Sequence, residues 1–187
     1  DSLMARLDRL ASAKAVAQLA ATLGRAFPYE LLRAVAPLEE PMLQRELARL
    51  VEAELLYQRG VPPEATYIFK HALIQEAAYE SLLKSARQQH HQRIAQTLVE
   101  RFPHMAEAQP EYIAHHYSEA GLEAQAISYW QRAGELAIHR SANLEAIRHL
   151  TKALDVVTTL SDSAAQAQQE LLLQITLAPA WIAVKGY

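Results

Sequence analysis

The chain has 187 residues, 51% hydrophobic and 21% charged, which excludes a disordered chain and leaves room for one large domain or two small ones. The 18 basic and 21 acidic residues give a formal net charge of −3, which argues against non-specific binding to nucleic acid. With no cysteine there is no disulfide scaffold, thiolate zinc site or thiol nucleophile, and with only 5 glycines and 8 prolines the chain reads as mainly helical.

The opening DSLMARLDRL is amphipathic, with Leu3, Met4, Leu7 and Leu10 at helical spacing, and does not resemble a secretory leader. Residues 13–23 place Val16, Leu19, Ala20 and Leu23 on one face, and Gly24 is set to stop that helix. Pro28 can open the next helix, with Leu31, Leu32 and Val35 on its apolar face and Pro37 closing it. A third helix is expected over 39–55. It opens on Glu39, Glu40 and Pro41 and carries Met42, Leu43, Leu47, Leu50, Val51 and Leu55 at spacings of 3 and 4.

The pattern then changes. Residues 55–59 and 66–70 are short, and the second run is β-branched and aromatic, so the two read as a hairpin around Gly60 and the loop Val61-Pro62-Pro63-Glu64. Helical spacing returns with Ala72, Leu73, Ala77, Leu82 and Leu83. Three helices followed by a hairpin is the pattern of a winged helix. Such a domain commonly reads DNA through its third helix. Here that helix sets Glu39, Glu40, Glu46, Glu52 and Glu54 against Arg45 and Arg49, a balance that phosphate would repel. A packing and signalling role is the expectation, with no nucleic-acid partner.

The run Tyr67-Ile68-Phe69-Lys70-His71-Ala72-Leu73-Ile74-Gln75-Glu76-Ala77-Ala78-Tyr79-Glu80-Ser81-Leu82-Leu83 resembles the winged-helix segment of STAND signalling ATPases. That family includes MalT-type regulators, apoptosome proteins and plant NLR proteins. The likeness is strongest to bacterial proteins that join a class III adenylate/guanylate cyclase domain, an AAA-type ATPase and a tetratricopeptide (TPR) array. Residues 2–10 resemble the segment that leaves the ATPase module in those proteins. The resemblance implies a non-catalytic segment whose partner is an upstream ATPase domain of the same chain. ATP or ADP, with Mg, would be held by that parent and not by these residues. It also implies a role for His71, which matches the histidine that touches the β-phosphate of ADP in the NLR branch, while Lys70 and Ala72 depart from the flanking Met and Asp. The other reading of His71 is that it ends the strand and caps the next helix. A MalT-type regulator, or a protein-interaction module alone, remains the alternative.

A linking helix over 85–102 carries Ile94, Leu98 and Val99 on one face; Pro103 breaks it and Pro110 starts the next helix. Ala146-Ile147 then repeats Ala126-Ile127 at an offset of 20, with Trp130 matching Leu150 and Ala133 matching Ala153. Counted through one TPR unit, Ile113, Ala114, Tyr117, Gly121, Ala126, Trp130 and Ala133 fall where large, small, large, turn, small, aromatic and small residues interlock two helices. Ile138 stands where the unit expects Pro. Later helices are expected over 143–160 and 164–178, with Ser161-Asp162-Ser163 as the turn and N-cap between them.

The fold class expected is therefore mainly α: a winged-helix domain over 1–84 with a small β-hairpin, a linking helix and loop over 85–110, and a TPR-like antiparallel repeat over 111–187. The apolar residues of 171–184 are interrupted by Gln174, Thr176 and Pro179 and fall short of the roughly 20 residues of a membrane span. A cytoplasmic chain with no membrane partner is expected, and both ends read as cut. The apolar C-terminal face either packs on something further, including a second copy, or folds back on its own core. Tyr57, Tyr67, Tyr79, Tyr112, Tyr117, Tyr129 and Trp130 read mostly as core or hairpin residues, a subset of which could line a partner groove on the repeat. Eight histidines invite a metal, but adjacent pairs such as His90-His91 and His115-His116 diverge by about 100° on a helix and no HExxH occurs. No phosphate loop or nucleophile elbow can be built from glycines at 24, 60, 121, 134 and 186.

Overall fold

The computed structural model describes residues 7–160 and 164–186. The start of the N-terminal helix and the Ser161-Asp162-Ser163 turn lie outside the described residues. The chain is mainly α with one small antiparallel sheet, and it forms two compact units, up to Thr97 and from Leu98 onward.

In the first unit, α1 (Ser12–Leu23) buries Ala13, Val16, Leu19, Ala20 and Leu23 and stops at Gly24, whose φ of 130° few L-residues adopt. A strand the periodicity does not announce follows. β1 (Ala26–Pro28) has three residues and buries only Phe27. Pro28 was expected to open a helix; it ends this strand instead and stands as the N-cap of α2 (Tyr29–Val35). Pro is tolerated there because β1 is an edge strand. The backbone at Ala36, before Pro37, is extended and ends α2.

α3 (Glu40–Glu52) buries Leu43, Leu47 and Leu50, together with Glu46. It ends three residues before the expected 55, because Glu54 adopts a left-handed φ of 58°. The amide of Leu55 donates to the carbonyl of Leu50 at 3.0 Å and that of Glu54 to Val51 at 2.9 Å, a Schellman ending without glycine. This turn frees Leu56 to enter β2 (Leu56–Arg59), which pairs with β3 (Thr66–Phe69). β1 pairs antiparallel on the other side of β3, Phe27 opposite Tyr67, so the expected hairpin is a three-stranded sheet of order β1-β3-β2. Helix, strand, two helices and a strand pair in this order form a winged helix.

The core of the sheet is aromatic. Phe27 lies 6.0 Å from the Tyr67 ring and 6.1 Å from Phe69, and Tyr29 lies 6.4 Å from Tyr67. α4 (Ala72–Glu80) packs on α1, where Gln75 Nε2 donates to the carbonyl of Ala21 at 3.0 Å. α5 (Lys84–Arg101) contains the division between the two units.

The second unit is a series of helices. Residues 103–108, expected as a loop, form the short helix α6 (Pro103–Ala108), with Pro103 in its first turn where proline costs no hydrogen bond. Then come α7 (Pro110–Ala120), α8 (Glu123–His139), α9 (Asn143–Thr159) and α10 (Ala164–Lys185). α7 packs on α8, α8 on α9 and α9 on α10. α10 passes through Pro179, beyond the expected end at 178.

The offset of 20 has a backbone counterpart. Leu122 donates to the carbonyl of Tyr117 and Gly121 to Ser118, while Ala142 donates to Ala137 and Ser141 to Ile138. These are two Schellman turns 20 residues apart, with left-handed Gly121 (φ 74°) at the first and Ser141 (φ 58°) at the second. A serine there costs roughly 1 kcal/mol more than glycine, which packing of the flanking helices offsets.

Candidate functional site

His71 lies one residue beyond β3, after Lys70, and is the N-cap residue of α4, with extended backbone at φ −132° and ψ 144°. Its carbonyl accepts from the amide of Ile74 at 3.0 Å, but its ring makes no capping bond. The backbone therefore starts the helix while the exposed imidazole stays available to a ligand. Beside it, Lys70 Nζ pairs with Glu54 at 3.1 Å and lies 5.0 Å over the Tyr57 ring, itself 56% exposed. His71 and the Glu54-paired Lys70 thus stand together between the end of β3 and the N-terminus of α4.

The third helix, which would read DNA in a nucleic-acid-binding winged helix, is arranged differently from the charge count. Glu46 is not displayed to solvent; it is 1% exposed. Its carboxylate accepts from Ser12 Oγ at 3.0 Å and pairs with Arg49 at 2.7 Å and Arg45 at 3.6 Å. Both arginines of α3 are thus directed onto an internal carboxylate that ties α3 to α1. Glu40 is held by Arg33 at 3.0 Å and accepts from the Tyr29 hydroxyl at 3.1 Å. Glu39 and Glu52 remain exposed.

The residues singled out in the repeat fall on the seams between helices. Ile113, Ala114 and Tyr117 of α7 are buried, as are Ala126, Trp130 and Ala133 of α8 and Ala146, Leu150 and Ala153 of α9, while Gly121 is the exposed left-handed turn. These residues hold the stack together and present little to a partner. Gly134 escaped the periodicity: a Cβ there would lie 2.4 Å from Leu150 Cγ, so glycine is what lets α8 and α9 approach. The surroundings of Trp130 were also not legible in spacing. Its indole N–H donates to Ser118 Oγ at 3.0 Å, His149 stacks on it at 5.5 Å, and Lys152 lies 4.4 Å over the ring. Burial holds the His149 imidazole below its ordinary pKa, so it is neutral at pH 7.

One histidine of each adjacent pair is buried, although the His115 and His116 rings lie 5.5 Å apart. His91 is buried with Nε2 2.9 Å from the Tyr79 hydroxyl, and His116 is buried with its ring 4.6 Å from that of Tyr112. Among the described residues no group of three His, Asp or Glu could hold a metal ion, and no helix is long and apolar enough to cross a membrane.

Burial pushes the Tyr112 hydroxyl up to about 12 from 10.0. The folded chain then keeps this proton longer than the unfolded chain, so its contribution to stability is whole below pH 10 and disappears as pH rises through 12. Tyr117 shifts in the same direction, also through burial. The urea midpoint of the second unit should fall between pH 10 and 12, less steeply in Tyr112→Phe, when followed by tryptophan fluorescence. An identical pH slope in the variant would refute the assignment.

One curated relative, an uncharacterized protein of Rhizobium meliloti (strain 1021), is 32% identical over 185 residues, 98% of this chain. The chain spans about 18% of that relative's length. No protein-family model matches the chain. No solved structure matches it either.

Proposed function

We propose that the chain is a non-catalytic regulatory and scaffolding segment of a larger signalling ATPase. Its winged helix senses the nucleotide state of an upstream module, and its TPR-like helical repeat receives a protein or small-ligand partner. ATP or ADP, with Mg, belongs to the upstream module, and the output of the parent is cyclic nucleotide synthesis. The switch is a population shift between an ADP-held closed form and an open form.

The observation that carries this reading is the placement of His71. It stands exposed at a helix N-terminus with its ring unspent, next to Lys70, where an imidazole N–H can donate to a phosphate oxygen. The commitment of Arg45 and Arg49 to Glu46 supports a packing role for α3 over a DNA-reading one. The small share of the relative that this chain spans fits a module within a longer protein.

The test uses the full-length gene product, purified without added nucleotide, denatured and assayed for released ADP. Wild type should release ADP and His71→Ala several-fold less, with the same circular dichroism, since no capping bond is lost. Equal release would sink the sensor role. It would leave the second reading, a protein-interaction module alone, which the stripe Leu171, Ile175 and Ile182 on α10 favours. These side chains are 58%, 61% and 49% exposed, on the face of α10 opposite buried Leu173, Leu177 and Ala180. A helix apolar on both sides is built to be covered twice, and a second copy of the chain would supply that cover.

A further inference from the structure

The first unit contains a cleft of about 420 Å³ that neither reading above uses. Its apolar lining is Val16 and Leu19 of α1, Pro37 and Leu38 of the connection after α2, Met42 of α3, and Leu82 at the turn before α5. Leu38 and Met42 remain 38% and 40% exposed, so apolar surface is left facing water at the cleft. A volume of this order with a mostly apolar wall and few polar groups is what small-molecule sites share.

The polar groups decide which molecule fits. Three charged or titratable side chains reach the cleft: Glu46, His90 and Arg93. Glu46 is already satisfied by Ser12 Oγ and Arg49, so it adds no free negative charge. His90 is neutral at pH 7, because burial and then the neighbouring Arg93 hold its pKa below the ordinary value, and its Nδ1 is buried without a hydrogen-bond partner. Arg93 makes one long bond, donating to the carbonyl of Val35 at 3.4 Å, and no carboxylate of the described residues pairs with it. The one uncompensated charge on the cleft is therefore positive. It is carried by a planar fork whose natural partner is a carboxylate. A phosphate dianion would call for more donors than this wall offers.

We propose that this cleft binds a small apolar carboxylate, its hydrocarbon body against Val16, Leu19, Leu38 and Met42 and its carboxylate on the Arg93 guanidinium. The hydrocarbon covers the exposed parts of Leu38 and Met42, and the carboxylate pairs with the guanidinium of Arg93, an exposed residue that no carboxylate of the described residues neutralises. This site is independent of the role given to His71: it involves neither His71 nor a nucleotide.

Octanoate is the probe, with octanol and octylamine as matched neutral and cationic chains, titrated calorimetrically into the 187-residue chain at pH 7. Octanoate should bind more tightly than either analogue. Arg93→Gln should weaken octanoate about tenfold and leave octanol unchanged. Ala15→Phe, at an exposed position of α1 that lines the cleft, should abolish all binding. Circular dichroism of both variants checks that they fold. No octanoate binding, equal affinity in Arg93→Gln, or a preference for octanol or octylamine would each overturn the proposal.

Discussion

Truncating Leu150 to alanine should cost the second unit about 2–5 kcal/mol, and adding a methyl at Gly134 in the same chain should return part of that loss. Leu150 is fully buried, and its side chain occupies the space where a Cβ on Gly134 would stand, 2.4 Å from Cγ and 2.6 Å from Cδ2. Gly134→Ala alone sets an overpacking cost of roughly 1–3 kcal/mol against a gain of about 1 kcal/mol in helix propensity. In the double variant the clash is gone and the methyl fills part of the cavity. The coupling should therefore be favourable and on the order of 1–3 kcal/mol. Both tryptophans of the chain, Trp130 and Trp181, lie in this unit, so urea titration followed by fluorescence reads it selectively. Additive single-variant effects would show that α8 and α9 do not meet as described.

Phe27→Ala should be the most damaging change in the first unit, at about 3–5 kcal/mol. The ring is 1% exposed and stacks on Tyr67 at 6.0 Å with Phe69 at 6.1 Å. It is the only buried residue of β1, so its loss removes most of what a three-residue edge strand contributes beyond backbone pairing. The backbone bond from the Phe69 amide to the Arg25 carbonyl, 2.9 Å, joins the chain just before β1 to the end of β3. Hydrogen exchange of the Phe69 amide should therefore accelerate by several orders of magnitude in the variant. Unchanged protection would mean that β1 does not hold the sheet.

How far the fold could be read in advance follows from which interactions set each element. The long helices were legible because an apolar stripe every 3 to 4 residues has no stable use except one-sided burial in a helix. Val16, Leu19 and Leu23 on α1 and Ala126, Trp130 and Ala133 on α8 carry that signal, and all of them are buried. The hairpin strand β3 was legible from Tyr67-Ile68-Phe69 for the same kind of reason. β1 was not, since three residues ending in proline have no periodicity; only the facing strand makes Ala26–Pro28 a strand.

The helix ends divide in the same way. Gly121 announced its turn because glycine enters the left-handed region freely. Glu54 and Ser141 make the same turn with side chains that ordinarily avoid it, and nothing local distinguishes them. α3 ends at Glu52 because Leu55 and Leu56 are both 1% exposed beyond the turn, not because residues 53–55 refuse a helix.

For the candidate sites, residue type placed His71 at the junction of strand and helix, and the repeat positions at the helix seams. Their chemistry was set in three dimensions. Whether Glu46 repels a phosphate or binds two arginines depends on burial, and whether Arg93 is free depends on which carboxylates the fold brings near it. Composition and spacing decide local conformation, because that is governed by residues a few positions apart. Charge pairing, close approach at Gly134 and the cleft beside α1 depend on residues tens of positions apart, which only packing brings together.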